Sequence, residues 1–437
     1  MDSMEYINQF SKFGTDEGFN PGLTRINFLL SYLNNPEKDL KVIHVGGTNG
    51  KGSTIAFLKS IYQKAGYKVG VYTSPPLLEF NERIRINNEK IGTNELEKLI
   101  EQIKPAVKQM KESSTHIIPS FFELVTCLAL LYFAQKKVDI VLLEVGLGGR
   151  LDATNVIQKP LLSLITNISL EHVDILGNTI SQIAREKAGI IKKEVPVITA
   201  VQKNEAYQVI KKQALELKSK FIHIDEYYNY KLQKSSLFRQ KFIIIEDENE
   251  LNLEIKMTGK HQIRNALLAL AAVRNLQKIF PVTRKQIKKG FFRAKWAGRM
   301  EVLRKEPVIL LDGAHNPGSI KELVDFLKDH IPSTTKINFI FSVLKDKDYK
   351  KMLEMLNFRK ENIEIIITKN SNSRVMAPGR IKKTADQIGI NNSICSDIKK
   401  VTAYVNNLPP DEIAVVTGSL YTVGEFKKCY FNSIMKE

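Results

Sequence analysis

One nine-residue stretch constrains this chain more than any other: Gly46-Gly47-Thr48-Asn49-Gly50-Lys51-Gly52-Ser53-Thr54. It lies between the short β-branched run Val42 to Val45 and a helical pattern from Ile55 to Ala65. Glycines let successive backbone N–H groups turn toward an anion without Cβ clashes. The start of the following helix adds the positive end of its dipole. Lys51 reaches phosphate oxygens from there, and a hydroxyl of Ser53 or Thr54 offers a ligand for Mg²⁺. The spacing departs from the common phosphate-loop pattern. Only three residues separate Gly46 from Gly50-Lys51, and Gly52 stands where a hydroxyl residue usually follows the lysine. A plain glycine turn is the competing reading; the strand–loop–helix context favours the phosphate.

Around this loop, strands alternate with helices, which predicts α/β domains with mostly parallel sheets. Strands are expected at Val69 to Thr73, Val138 to Val145, Leu161 to Ile168 and Val195 to Ala200, with helices over about 121–135 and 262–276. Val138 to Val145 is an uninterrupted apolar run of the kind buried on both faces. Tyr227 to Met257 reads differently, as a small antiparallel accessory sheet. After Trp296-Ala297-Gly298-Arg299 the alternation restarts, with strands at Val308 to Asp312, Ile337 to Val343, Ile363 to Thr368 and Ile413 to Gly418. The reading is therefore an ATP-binding phosphate-loop domain over 1–297 and a smaller, doubly wound Rossmann-like domain over 298–437. The second lacks GxGxxG, so nothing in it suggests a dinucleotide.

Composition narrows the class. The chain has 437 residues, too many for one ordinary domain. Three scattered cysteines, Cys127, Cys395 and Cys429, suit neither a disulfide framework nor a zinc site. The longest apolar run, Leu124 to Ala134, is about half the length of a bilayer span. The N-terminal residues show no basic start followed by an apolar stretch. The expectation is a cytoplasmic protein with no membrane partner. The formal charge is +18, which fits either a nucleic acid or anionic small substrates. The lysines are scattered, without a basic aromatic motif or zinc-finger spacing, so no nucleic-acid partner is expected.

Further candidates follow strands, where ligands of open α/β sheets collect. Glu144 ends the buried strand and precedes Gly146-Leu147-Gly148-Gly149-Arg150-Leu151-Asp152. It reads as a Mg²⁺ ligand or water holder, or as a loop-bracing glutamate. His172 and Asp174 follow the next strand, and for His172 a metal reading stands beside a structural one. Asp312 and His315 follow a strand of the second domain; Asn316 caps the next helix with Pro317 at its first position. Together these point to ATP·Mg²⁺ in a cleft between two domains, without naming the acceptor.

At this point the chain resembles the folylpolyglutamate synthase/dihydrofolate synthase family of the Mur ligase superfamily. The resemblance rests on Gly22 to Ile26, Gly47 to Ser53, Ser74-Pro75, Phe80 to Ile84, Phe122-Glu123 and Glu144 to Asn155. It continues through Glu171 to Asp174, Glu186 to Ile190, Gly259 to Gln262 with Asn265, Gly298 to Glu301, Asp312 to Pro317 and Gly418 to Tyr421. It implies ATP-dependent addition of L-glutamate to a folate-type carboxylate, tetrahydrofolate or dihydropteroate, through an acyl phosphate. By similarity, Gly47, Thr48, Asn49, Gly50, Lys51, Gly52, Ser53 and Thr54 hold the triphosphate. Asn265, Arg299, Asp312 and His315 hold the rest of the nucleotide. Ser53 or Thr54, Ser74, Glu144 and His172 serve two magnesium sites, and Lys187 matches a carbamylated lysine. Lys51, Glu144, His172 and Lys187 are the catalytic candidates. Leu23, Arg25, Phe122, Glu123, Asp152 and Ala153 match positions beside the pterin or pteroate. The family also implies a monomer.

Two departures stand out. Pro76 occupies a position that is often histidine in the family, and Ala297 one that is often proline. Neither touches the phosphate loop. The rivals are another Mur-type amide ligase and a nucleotide-binding protein without ligase activity. The chain enters the phosphate-loop domain after roughly forty residues, which leaves no separate UDP-binding domain.

Overall fold

A computed structural model describes residues 3–10, 14–15, 18–19, 22–112, 118–246 and 249–434. The chain forms two compact units. The first comprises Met1–Asn229, Ile245–Glu250 and Arg264–Ala294; the second comprises Tyr230–Ile244, Leu251–Ile263 and Lys295–Glu437.

The first unit is built on an eight-stranded sheet. Its order is Phe221–His223, Val197–Thr199, Leu162–Ile165, Val42–Gly46, Ile140–Glu144, Val69–Tyr72, Ile84–Ile86, Glu89–Lys90. The strands run parallel from Phe221–His223 to Val69–Tyr72, and the last two add antiparallel. Val42–Gly46 lies between Leu162–Ile165 and Ile140–Glu144; the chain first runs from it to Val69–Tyr72 on one side and later continues from Ile140–Glu144 to Leu162–Ile165 on the other. Such a switch point opens a crevice at the strand ends. Every residue of these three central strands is buried, which explains why apolar residues dominate them around the buried His44 and Ser163.

The loop helix spans Lys51–Lys64 and begins four residues earlier than its apolar pattern suggests. Gly52, Ser53 and Thr54 are weak helix formers, so sequence alone leaves them in the loop. Gly50, at φ 92°, turns the chain into that helix. Its far side packs on the helix Arg284–Arg293. The Ser60 hydroxyl donates to the Gly290 carbonyl at 2.7 Å, and the rings of Phe57 and Phe291 lie 5.3 Å apart. A Cβ on Gly290 would lie 2.6 Å from Ile61 Cα, so only glycine allows this approach.

The helix Phe121–Gln135 matches its predicted range. Ser120 accepts from the Glu123 amide while Glu123 accepts from the Ser120 amide, a reciprocal cap. Leu124 to Phe133 are buried, and the apolar residues among them join one apolar cluster of this unit.

The second unit carries a six-stranded sheet ordered Glu301–Lys305, Val308–Leu311, Ile413–Thr417, Ile337–Phe341, Ile363–Ile367, Asn391–Ile394. All pairs are parallel except the first, an antiparallel hairpin. The outer strands Glu301–Lys305 and Asn391–Ile394 escape the sequence pattern because their residues are largely polar and half-exposed. The expected accessory sheet is present as Tyr228–Ser235, Gln240–Glu246 and Asn249–Ile255; its Asp247 and Glu248 lie outside the described residues. Within the second unit, Ser235 and His330 share a hydrogen bond of 2.7 Å, and Lys260 pairs with Asp329 at 2.8 Å. Among the described residues no helix is long and apolar enough to cross a membrane.

Candidate functional site

In the first unit, four segments meet at the carboxyl ends of the central strands. The first is the glycine loop itself. Gly47 has φ 128°, and a Cβ there would lie 1.9 Å from Thr166 Oγ1. A Cβ on Gly50 would lie 2.4 Å from Asn265 Oδ1, so the Asn265 amide sits directly on the loop. Asn167 then ties the loop to the neighbouring strand end. Its carbonyl accepts from the Thr48 amide at 2.8 Å, and its side chain accepts from the Asn49 amide at 2.8 Å. Thr166 Oγ1 donates to the Asn49 carbonyl at 2.7 Å. These bonds brace the loop.

Two lysines converge on this loop. Lys51 Nζ donates to the carbonyls of Gly47 and Thr48, each at 3.0 Å. Lys187 Nζ donates to the same Gly47 carbonyl at 3.0 Å and to Glu171 Oε1 at 2.7 Å. Lys187 is 2% exposed, on the last turn of the helix Ile180–Ala188. Glu171 is buried, which alone would raise its pKa, yet the charges of Lys187, Lys51 and His172 bring it down to about 2. Sequence reasoning quoted Glu171 within a motif and assigned it no role. The missing signal was the burial of Lys187, which demands a counter-charge.

The third segment is Glu144, at the end of its strand, whose Oε2 accepts from the Ser74 amide at 3.0 Å. Two expected metal-binding positions are thus in contact. The fourth is His172, which precedes the four-residue helix Val173–Leu176 with φ 46°. A left-handed backbone at a non-glycine residue is uncommon and needs the surroundings to hold it. Asp174, two residues on, is exposed and does not join the cluster.

The acceptor candidates gather on one side of the same unit. Leu23, Phe122 and Ala153 belong to, or pack against, one apolar cluster. Arg25 Nε lies 3.0 and 2.9 Å from the two oxygens of Glu123, pinning the helix Thr24–Tyr32 to Phe121–Gln135. Phe122 covers Gly146 so closely that a Cβ there would lie 2.4 Å from the ring. Asp152 is buried, which raises its pKa. It accepts from the amides of Leu147 and Thr154 at 2.8 and 3.0 Å. These contacts make Asp152 the clasp of the glycine-rich loop after Glu144.

The second unit holds a cluster of its own. Burial raises the pKa of Asp312 against the opposing charge of Arg299. Its oxygens accept from the amides of Met300 at 2.9 Å and Ala314 at 3.0 Å. His315 Nδ1 lies 2.8 Å from the Gly313 carbonyl, which sets its ring orientation. Asn316 caps the helix Pro317–His330, accepting from the Ser319 amide at 2.9 Å, as its sequence predicts.

Known proteins resemble the chain in sequence and in fold. The model of the Mur ligase middle domain matches residues 45–273, and that of the Mur ligase glutamate ligase domain matches 298–420. The dihydrofolate synthase/folylpolyglutamate synthase of Bacillus subtilis is 37% identical, with 98% of each chain covered. The crystal structure of folylpolyglutamate synthase from Thermotoga maritima superposes with TM-score 0.84 and 36% identity, covering 98% of this chain and 96% of that one. E. coli FolC in complex with DHPP and ADP gives TM-score 0.87 at 27% identity, covering 100% and 99%. With the braced phosphate loop and both ligase domains accounted for, the chain belongs to the folylpolyglutamate synthase/dihydrofolate synthase family of ATP-dependent Mur-type ligases.

Proposed function

We propose that the chain joins L-glutamate to the carboxylate of a folate-type acceptor, either dihydropteroate or a tetrahydrofolate, through an acyl phosphate. The observation that carries this reading is the convergence of Lys51 and Lys187 on the Gly47 carbonyl, with the Glu171 carboxylate paired to Lys187. A carboxylate is a poor acyl donor because oxide would have to leave. Attack of its oxygen on the γ-phosphorus forms the P–O bond and releases ADP. The glutamate amine then forms the amide, phosphate departs and the amine loses a proton. Two anions meet in the first step, so fixed cations are needed. The loop amides and Lys51 fill that role for the triphosphate. Asn265, Arg299, Asp312 and His315 are assigned to the rest of the nucleotide.

The residues present fit magnesium. Ser53, Thr54, Ser74, Glu144 and His172 offer hydroxyls, one carboxylate and one imidazole. Among the described residues no three acidic, histidine or cysteine side chains cluster into an all-protein cage. Mg²⁺ suits that pattern, because it keeps waters and takes phosphate oxygens beside one or two protein carboxylates. Thr54 Oγ1 is buried and without a partner, which supports its candidacy beside Ser53. When bound, the ion neutralises charge on the phosphates. The resemblance implies a carbamate on Lys187, which would have to give up the amine's present donations to the Gly47 carbonyl and Glu171. The burial of Lys187 lowers the amine pKa, which favours the neutral form that adds CO₂ and gives up a proton. Lys187→Ala is expected to lose turnover and to regain part of it with acetate; full activity without additive would remove Lys187 from the chemistry.

The direct test measures phosphate release from MgATP with L-glutamate, using 7,8-dihydropteroate and tetrahydrofolate in turn, with product masses followed. Release that needs glutamate and either acceptor supports the reading, and the pattern of acceptors defines the range. Release with neither acceptor, from folded ATP-binding protein, would overturn it.

A further inference from the structure

His44 takes no part in the chemistry above, yet it is wholly buried in the middle of the strand that delivers the phosphate loop. Its Nε2 lies 2.8 Å from Thr154 Oγ1. Thr154 Oγ1 in turn donates to Asp152 Oδ1 at 2.5 Å, and its amide donates to the same oxygen at 3.0 Å. The Leu147 amide donates to Asp152 Oδ2 at 2.8 Å. His44 Nδ1 is buried with no partner.

These contacts fix the protons. A threonine hydroxyl has one hydrogen, and here it points at a carboxylate that already accepts from two backbone amides. Thr154 Oγ1 must then receive the hydrogen of His44 Nε2. That leaves Nδ1 as a bare lone pair. The reverse chain would put a proton on Asp152 and bury an unpaired N–H at Nδ1, the costlier arrangement. Burial disfavours a second ring proton, and so does the charge of Lys192, whose amine donates to the Asn155 carbonyl at 3.1 Å.

We propose that His44, held as the Nε2–H tautomer, is a positioning residue. Through Thr154 it orients the Asp152 carboxylate and so locks the 146–154 loop, which shapes the acceptor site, to the phosphate-loop strand. The acceptor part of this inference rests on the function proposed above. The strand thus carries the nucleotide loop at its end and steadies the acceptor loop from its middle.

Two measurements test this. The first is the side-chain ¹⁵N–¹H spectrum of the whole protein, with the His44 signals assigned by their loss in His44→Gln. Expected are a pyrrole-like Nε2 and a pyridine-like Nδ1 near neutral pH. An Nδ1–H tautomer or a doubly protonated ring would overturn the assignment. This readout does not depend on which substrate the enzyme takes. The second is kinetic. Thr154→Val keeps the shape and removes the hydroxyl; it should raise the acceptor KM about tenfold, with the ATP KM changed less than about twofold. Thr154→Ser should restore the acceptor KM, and His44→Gln, which keeps an N–H at a similar reach, should stay near the parent. A parent-like acceptor KM in Thr154→Val and His44→Leu, or equal rises for acceptor and ATP, would overturn the positioning role. Absence of glutamate-dependent turnover in the parent would instead overturn the proposed function, and the spectrum would still decide the His44 arrangement.

Discussion

At the scale of single residues, the site is defined as much by what is missing as by what is present. Gly50 has no Cβ, and the Asn265 amide occupies the space one would fill. Gly50→Ala also forces an L side chain to φ 92°. We expect it to lower turnover about 100-fold or more through displacement of the loop while the fold persists; steady-state kinetics with circular dichroism checks this. His44 makes a second prediction. Burial, aided by the charge of Lys192, lowers its pKa from 6.5 to about 3. The unfolded chain therefore binds the proton more readily. The stability His44 contributes is complete above pH 6.5 and is lost as pH falls from there toward 3, with a slope of about 1.4 kcal/mol per pH unit. Glu171, brought down from 4.5 to about 2, adds its own loss only below pH 4.5. Urea unfolding between pH 7 and pH 5 should thus show a slope in the parent that flattens in His44→Gln.

At the scale of elements, the helix Phe121–Gln135 shows how a local signal positions chemistry. Its Ser120–Glu123 cap sets where the helix starts, and so where Phe122 and Glu123 face. Ser120→Ala is expected to cost about 1 kcal/mol, read as a lower denaturant midpoint. It should also weaken acceptor binding, because Glu123 holds Arg25. This helix and the buried strands were legible in the sequence, since long apolar runs leave few alternatives. The outer strands were not, because polar edge residues carry little period-two signal. Within the site, the phosphate loop and Glu144 were legible as residue types at strand ends. Glu171, Thr166 and Asn167 were not, because their roles come from neighbours over a hundred positions away in the chain, or from a lysine whose burial only the fold reveals.

At the scale of the whole molecule, the basic charge finds a use in anionic substrates. Lys51 is the point of contact proposed above, and its amine lies on its own loop carbonyls in this structure. A nucleotide that binds only the folded chain stabilises it by mass action, about 2.7 kcal/mol at a hundred times Kd. Thermal unfolding with MgATP should rise accordingly in the parent, and Lys51→Ala should lose most of that rise at the same concentration. A full shift in the variant would remove Lys51 from nucleotide binding. The first unit also shows long-range construction: its stretches 245–250 and 264–294 return after segments that cluster with the second unit.

The packing of Ser60 against Gly290 has a consequence for how the protein is made. The two residues are 230 positions apart, and the helix that carries the phosphate loop lacks its covering partner until the later segment exists. At a translation rate of about 5–20 residues per second, that partner emerges from the ribosome on the order of 10–50 seconds after the loop helix. During that interval the apolar flank of the loop helix, including Phe57 and Ile61, waits without Phe291 and Gly290. Nascent chains halted before residue 284 should therefore be captured by chaperones that bind exposed apolar surface, and chains released beyond residue 294 should not.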